Sequence, residues 1–354
     1  MKTVLKNVML KGTVTDLIIE NGIISCTEKT DLPGTDMGGL KAYPGLIDIH
    51  SHGAVGVDVM DGRLEAVAKY QLSHGITTYY PTTLTVSEED IIAATEQKTD
   101  FEDGANIPGF HIEGPFINTE RKGAQNEKYI VPPSLEVYNR YKRVKLITLA
   151  PEIEGAIDFI RGCDAVVCIG HSNADYETAK EAFEAGAKCI THTFNAMAGI
   201  HHRDPAIIGA GADAGAYAQI ISDGFHLHPA TVRLAVKMFG KERIVLISDS
   251  MLGTSANDGE YLFGGLHTTV KNGRAYTDYG AIAGSTTNLF DCVKAAVSFG
   301  IPEEDAVMMA TENPARLMKL NKGKVSEGYD ADLIFVDENF ELKSVMLGGK
   351  MQKI

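Results

Sequence analysis

Two histidines, His50 and His52, are separated by one residue in LIDIHSH, a segment typical of a short buried strand. Side chains two residues apart on a strand emerge on the same face, as two ligands of one metal ion must. The spacing alone leaves a second interpretation open, because two hydrogen-bonded histidines are also stable in a protein core. Gly53 and Gly56, which follow at once, and Asp48, which lies two residues earlier, favour the metal interpretation.

Three more residues of metal-ligand type end other apolar runs, namely Glu113, His171 and His192. Glu113 is expected to be buried at a strand-to-loop corner, because Gly114 and Pro115 follow it. A buried carboxylate needs a cation, a proton or a salt-bridge partner. One carboxylate and two imidazoles without a fourth protein ligand describe a catalytic metal centre, which keeps a position for water. The sequence therefore predicts a divalent metal here, with a structural salt bridge at Glu113 as the alternative.

Asp249 ends the run IVLISDS and is the candidate for moving protons. A carboxylate beside a metal ion can accept a proton from an attacking water, because the metal lowers the pKa of that water. The alternative is that Asp249 caps a following helix. The segment GTSAND that comes next has no clear helical pattern, so catalysis is the preferred interpretation.

Eight short apolar runs are the elements that would position these residues. They lie at 46–52, 77–83, 109–114, 145–151, 166–172, 189–195, 219–224 and 244–250. Each predicts a buried strand, and segments with helical spacing separate most of them. Polar residues fall at the carboxyl ends of six runs, which is where a (β/α)8 barrel holds its active site. An open doubly wound sheet would gather only residues near its switch point, so we predict an α/β fold with a closed TIM-like barrel.

Both ends of the chain alternate short strands with turn signals, and neither could form a core alone. We therefore predict a small β-sandwich domain made from residues 1–43 and 323–354 together. The barrel, a metal-dependent hydrolase domain, would be inserted between them at 44–322.

The composition limits the partners and the compartment. The 354 residues include 33 basic and 47 acidic ones, and this net charge of -14 opposes binding to nucleic acid, although local cations can still hold a small anion. No apolar run approaches the ~18 residues of a membrane helix, and lysines interrupt the N-terminal apolar residues, so neither a membrane span nor an export signal is expected. Five cysteines without a CxxC pair indicate no disulfide framework and no cysteine zinc site, and favour the cytoplasm.

A series of segments occurs in an order that resembles a known family. The segments are PGLIDIHSHG, HIEGPF, KGAQN, GHSNADY, THTFNAM, HHRDP, ISDGFH, LISDSM and AIAGS. From about residue 44 to the C-terminal KGKVSEGYDADLIFVD, the chain is similar to the N-acetylglucosamine-6-phosphate deacetylases, which belong to the metal-dependent amidohydrolases. The resemblance implies hydrolysis of the acetamide of N-acetylglucosamine 6-phosphate to glucosamine 6-phosphate and acetate, a reaction of amino-sugar catabolism.

The resemblance also implies which residues bind metal. Glu113, His171 and His192 match the ligands of the principal divalent ion, for which zinc or iron is expected. His50 and His52 match a pair that helps to hold a second ion in some members, so the resemblance implies one or two ions per subunit.

Further residues match positions that act on the substrate. Asp249 matches the acid/base residue of the family. The matches in substrate-contacting segments are Ala124, Gln125, Asn195, Ala196, Arg203, Asp223, His226, Ile282, Ala283 and Gly284. Many relatives have histidine in place of Gln125, which can donate a hydrogen bond but cannot titrate near neutral pH. The resemblance also implies a homodimer in which Arg203 reaches across the interface into the neighbouring active site.

Two other functions stay open. Metal ligands alone do not choose a substrate, so another amidohydrolase is an alternative, acting on N-acetylgalactosamine 6-phosphate, an acylated amino acid or a cyclic amide. A non-catalytic barrel scaffold is the alternative from a different class. Such a scaffold would have no need for ligand-type residues at Glu113, His171 and His192.

Overall fold

A barrel of eight parallel strands is the main part of the computed structural model, which describes residues 2–353. Its strands are Leu46–Ser51, Ile76–Thr83, Phe110–Glu113, Val144–Leu149, Val166–Ile169, Cys189–Ile190, Tyr217–Ile221 and Ile244–Ile247. Neighbours in sequence pair in parallel from the first strand to the eighth. The circle closes just beyond the strands, where the Asp249 amide donates to the His50 carbonyl (2.9 Å) and the His52 amide donates to the Ser250 carbonyl (2.7 Å). The predicted barrel and its eight strands are confirmed.

Several strands end earlier than the runs that predicted them. The run at 166–172 forms a strand only at Val166–Ile169, and the run at 189–195 only at Cys189–Ile190. The chain then turns, because His171 and His192 adopt positive φ values of 49° and 26°. These turns bring both imidazoles beside Glu113.

Ten α-helices accompany the barrel among the described residues. They are Leu64–Ser73, Glu88–Glu96, Leu135–Tyr138, Ala156–Gly162, Tyr176–Ala185, Ala206–Asp213, Pro229–Phe239, Leu289–Ser298, Glu303–Ala310 and Glu312–Met318. The first buries Val67, Ala68 and Leu72 against the barrel core, as their helical spacing predicts. Short connections add a hairpin of Gly53–Ala54 with Val57–Asp58 and the 3-10 helices Val59–Asp61, Thr119–Arg121 and Glu127–Tyr129. No helix within residues 2–353 is long and apolar enough to cross a membrane.

The two ends of the chain meet in a separate β domain, as predicted. Its eight strands, which belong to one hydrogen-bonded sheet, are Lys2–Leu10, Thr13–Glu20, Ile23–Cys26, Thr35–Asp36, Lys41–Pro44, Leu333–Val336, Leu342–Leu347 and Lys350–Met351. The strand Leu333–Val336 joins the ends by pairing antiparallel with Lys41–Pro44. Leu5, Leu17 and Phe335 pack in its core, so both ends contribute to one apolar cluster.

A small antiparallel sheet, which the sequence analysis did not predict, follows the last barrel strand. We call its strands Gly259–Phe263, Leu266–Val270 and Ala275–Thr277 the cover sheet. Its buried side packs against Leu84 and Met251, which lie beyond the second and eighth barrel strands. The cover sheet therefore extends the wall of the barrel mouth.

Candidate active site

Glu113 lies among four histidines at the carboxyl ends of the barrel strands. Its Oε1 is 3.1 Å from His192 Nε2 and 3.3 Å from His171 Nε2. The same oxygen is 3.2 Å from His50 Nε2, and Oε2 is 3.2 Å from His52 Nε2. All five side chains are buried. Two groups among the described residues can therefore hold a metal ion, Glu113 with His171 and His192, and His50 and His52 with Glu113.

Hydrogen bonds at the outer ring nitrogens set the tautomers of two of these histidines. Nδ1 of His171 lies 2.8 Å from the carbonyl of Arg121, and Nδ1 of His52 lies 3.0 Å from the carbonyl of Thr82. Because a carbonyl oxygen only accepts, each Nδ1 carries a proton, and Nε2 is the nitrogen that faces the cluster and can offer a lone pair to a metal ion when the ring is neutral. Histidines that bind metals commonly have this arrangement.

The inner nitrogens also lie unusually close to one another. Nε2 of His171 is 3.0 Å from Nε2 of His192, and Nε2 of His50 is 3.2 Å from Nε2 of His52. Lone pairs on two facing nitrogens repel each other unless a cation or a proton lies between or beside them. Imidazole and carboxylate donors together suit zinc or iron, so the residues present fit a divalent metal.

The pKa values of the cluster also indicate that a positive charge is stabilised at this site. Burial alone would lower the pKa of His52, but hydrogen bonds to Asp249 and Glu113 raise it to about 10. Burial would raise the pKa of Glu113, yet the charge of His50 and the hydrogen bond from His171 hold it well below its usual value. The site therefore favours ionised carboxylates next to a cation.

Asp249 faces the first histidine pair, with Oδ1 3.3 Å from Nε2 of both His50 and His52. Its φ of 49° is uncommon for a residue other than glycine. Two backbone hydrogen bonds hold it there, since its amide donates to the His50 carbonyl and its carbonyl accepts from the Ser285 amide (2.6 Å). Burial would raise its pKa, but the charge of His50 and the hydrogen bond from His52 keep it at about 2. The carboxylate is therefore ionised at neutral pH.

A cleft of about 270 Å³ opens over the cluster, close to the lower end of the range for small-molecule sites. His52, Glu113, His171, His192 and Asp249 form its floor and walls. The predicted substrate-contacting residues that line it are Ala124, Gln125, Asn195, Ala196, His226, Ile282 and Gly284. The structure thus brings together most of the predicted site.

Three of the predicted substrate-contacting residues do not line this cleft. Ala283 is fully buried next to it. Asp223 supports a lining residue instead, because its Oδ2 accepts a hydrogen bond from Nδ1 of His226 (2.7 Å). Arg203 is exposed, and its guanidinium lies 2.7 Å from Nε2 of His202 in the same loop. Within one chain, Arg203 is outside the cleft.

Gln125 connects Glu113 to the loop after the second barrel strand. Its Oε1 accepts from the Thr85 amide (2.7 Å), and its Nε2 donates to Oε2 of Glu113 (2.6 Å). The backbone N–H can only donate, so the orientation of the side-chain amide is fixed. Gln125 therefore stabilises the ionised form of Glu113 without a titratable proton of its own.

The sequence analysis missed two residues that touch the cluster. Gln219 lies inside the seventh strand, with Oε1 3.1 Å from Nδ1 of His50. Phe263 belongs to the cover sheet, and its ring packs edge-on against His52 with centroids 5.4 Å apart. A polar residue within the apolar strand YAQII is a signal that could have identified Gln219. Phe263 gives no local signal, because its contact joins distant parts of the chain.

Comparison with known proteins decides the family. The sequence profile described as Amidohydrolase family matches residues 42–351. The chain belongs to the amidohydrolase family. It is 37% identical to the N-acetylglucosamine-6-phosphate deacetylase of Vibrio furnissii, over 94% of this chain and 89% of that protein. It is 32% identical to the N-acetylgalactosamine-6-phosphate deacetylase of Escherichia coli O157:H7, over 95% and 94% of the two chains.

The likeness extends to three-dimensional structure. A mutant N-acetyl-D-glucosamine-6-phosphate deacetylase from Mycobacterium smegmatis, solved in complex with N-acetyl-D-glucosamine-6-phosphate, matches this amidohydrolase with a TM-score of 0.91 at 28% identity. The match covers 99% of both chains, so it includes the β domain as well as the barrel. The family resemblance expected from the sequence segments is confirmed.

Proposed function

We propose that this amidohydrolase removes the acetyl group of N-acetylglucosamine 6-phosphate, giving acetate and glucosamine 6-phosphate in amino-sugar catabolism. The observation that carries the proposal is that Glu113, His171, His192 and Asp249 converge in one cleft. The relative from Vibrio furnissii and the Mycobacterium smegmatis complex support this choice of substrate.

The metal requirement follows from the donor set. Glu113, His171 and His192 would hold the principal divalent ion, zinc or iron, and His50 and His52 with Glu113 a second ion. Such an ion, when bound, lowers the pKa of water and polarises a carbonyl. Gln125 would keep the shared carboxylate ionised and oriented for both positions.

Asp249 would move the proton of the reaction. Its carboxylate is ionised and would take a proton from the attacking water as that water adds to the acetamide carbon. The same proton would then pass from Asp249 to the sugar nitrogen as the carbon–nitrogen bond breaks. The free amine and acetic acid are formed and Asp249 returns to its ionised form; the remaining proton of the water leaves the carboxyl group for the amine or for solvent, which gives acetate.

The phosphate would bind at the part of the cleft lined by Asn195, Ala196 and His226. A phosphate dianion needs cationic or N–H donors at a distance from the metal. Burial would lower the pKa of His226, but its hydrogen bond to Asp223 raises it, which supports a positive charge there. Arg203 is exposed and outside the cleft of its own chain, which supports a homodimer in which it reaches the other subunit's cleft.

The compartment is part of the proposal. All five cysteines are free, and three of them, Cys168, Cys189 and Cys292, are buried. Free thiols are the usual state in reducing surroundings, which supports a cytoplasmic enzyme.

A substrate panel tests the proposal directly. Acetate release is measured with zinc- or iron-loaded protein on N-acetylglucosamine 6-phosphate, its galactosamine epimer, unphosphorylated N-acetylglucosamine and an acylated amino acid. We expect the highest kcat/KM with N-acetylglucosamine 6-phosphate. The Escherichia coli relative makes the galactosamine epimer the second candidate substrate. A higher kcat/KM for the epimer than for N-acetylglucosamine 6-phosphate would identify the epimer as the substrate instead. Turnover of the acylated amino acid alone, or of none of the four compounds, would refute it.

A further inference from the structure

Gln219 is completely buried where the two proposed metal positions meet. It belongs to the seventh barrel strand, Tyr217–Ile221, in which its four neighbours are apolar or aromatic. Its Oε1 lies 3.1 Å from Nδ1 of His50 and 3.4 Å from the backbone nitrogen of His192. One oxygen atom therefore contacts a ligand residue from each group.

The neighbours of Gln219 fix the orientation of its amide. The backbone N–H of His192 can only donate, so it must face the oxygen. On the other side, Nε2 lies 3.9 Å from Sγ of Cys168, a weak acceptor. The oxygen then accepts a hydrogen bond from Nδ1 of His50. This places the ring proton on Nδ1 and leaves the lone pair of Nε2 available to bind a metal ion.

The two metal positions depend on Gln219 to different extents. Within residues 2–353, Gln219 is the hydrogen-bond acceptor found for Nδ1 of His50. In the other group, the ring of His171 is fixed by the carbonyl of Arg121, which no side-chain substitution removes. Gln219 touches the other imidazole ligand of that group, His192, only at its backbone.

We propose that Gln219 is a positioning residue that selects the metal-binding tautomer of His50 and so sets the affinity of the second metal position. The inference rests on the two-ion form of the proposed function. Loss of the oxygen acceptor lets the His50 ring exchange tautomers or rotate, and the position formed by His50, His52 and Glu113 then loses a preorganised donor. Outer partners of metal ligands typically contribute about 10 to 100-fold in affinity.

The test is a zinc titration of metal-free protein followed by calorimetry and metal analysis. Gln219→Met keeps a similar volume but has no oxygen acceptor, so we expect the second zinc ion to bind about 10 to 100-fold more weakly while the first keeps its affinity. Gln219→Glu retains the acceptor and should bind both ions. Asn313→Leu is the matched control, because Asn313 is a buried amide that donates to the carbonyls of Lys241 and Ile244 at the other end of the eighth strand. It should leave both affinities unchanged.

The outcomes separate this inference from the function proposed above. Suppose that wild type binds two zinc ions. If Gln219→Met then binds both ions with the wild-type affinities, or loses affinity for both to the same extent, the role proposed for Gln219 is overturned and the proposed function is not. Wild type that binds a single ion would remove the second position, and the inference with it, while the deacetylase assignment would stand on its own assay. If Gln219→Met does not accumulate as folded protein, Gln219→Asn replaces it in the same titration. The asparagine side chain is shorter by one methylene, so its amide oxygen lies farther from His50.

Discussion

At the residue scale, the active site depends on backbone turns at the ends of strands. His171, His192 and Asp249 all have positive φ, which typically costs about 1 to 3 kcal/mol for each non-glycine residue. Their positions after apolar runs could be predicted from the sequence. Their conformations could not, because the hydrogen bonds that hold Asp249 come from His50 and Ser285, which lie on other segments.

The first prediction concerns the principal metal position. His192→Ala removes one of the three proposed ligands, so metal content and acetate release should fall together. Metal analysis and turnover are measured on the same preparation. His267→Ala is the control, because His267 is an exposed histidine of the cover sheet whose ring contacts Asp278 and Glu260 and does not line the cleft. Full turnover with undiminished metal in His192→Ala would show that this residue is not a ligand.

The second prediction concerns the charge on His226. Its raised pKa means that the imidazolium is present below that pKa and is lost as the pH rises through it. The KM for the phosphorylated sugar should therefore increase with pH. Asp223→Asn removes the carboxylate that raises the pKa, so the increase should begin at a lower pH.

The pH dependence of KM is compared between wild type and Asp223→Asn. The substrate phosphate titrates identically in both assays, so a difference between the profiles reports on the protein. Superimposable profiles would mean that His226 does not bind the phosphate through its charge.

At the element scale, the eight barrel strands were predictable because each is a short, mostly buried segment that contains several apolar residues. The cover sheet could not be predicted from the sequence, because only one of its faces is buried. In Gly259–Phe263, Leu262 is 68% exposed while Phe263 is buried, so the strand has no distinct hydrophobic pattern. Its stabilising partners, Leu84 and Met251, lie in other segments of the chain.

The third prediction tests the cover sheet as a support for the pair His50 and His52. Phe263→Ala removes the ring that packs on His52, and truncating a buried phenylalanine typically costs about 3 to 5 kcal/mol. Both kcat/KM and the free energy of unfolding should decrease. Leu262→Ala, on the opposite face of the same strand, should change neither. Equal effects from the two variants would show that the contact with His52 has no special role.

At the scale of the whole molecule, the chain ends form one β domain and the barrel lies between them. This organisation was predictable, since neither end has enough apolar residues for a core alone. The boundaries at 1–43, 44–322 and 323–354 stay a prediction. The proposed homodimer rests on Arg203, which is exposed and lies outside the cleft of its own chain.

The fourth prediction is subunit complementation. Arg203→Ala and Asp249→Asn should each be nearly inactive alone, because one lacks the proposed phosphate cation and the other the proton carrier. If Arg203 acts across the interface, a mixed dimer contains one cleft with both residues intact, so mixing the two proteins should restore part of the activity. Subunit exchange is followed in parallel by native mass spectrometry. Confirmed exchange without recovered activity would contradict the cross-subunit role.

The most direct test of the proposed chemistry is acetate release from N-acetylglucosamine 6-phosphate by metal-loaded Asp249→Asn, with metal content measured on the same sample. The substitution is nearly isosteric but cannot carry a proton, and general acid–base catalysis typically contributes about 10² to 10⁴-fold. We predict a folded variant with the wild-type metal content and a kcat reduced by about that factor. A folded, metal-loaded variant with a kcat within a few-fold of wild type would contradict the assignment of Asp249 as the proton carrier.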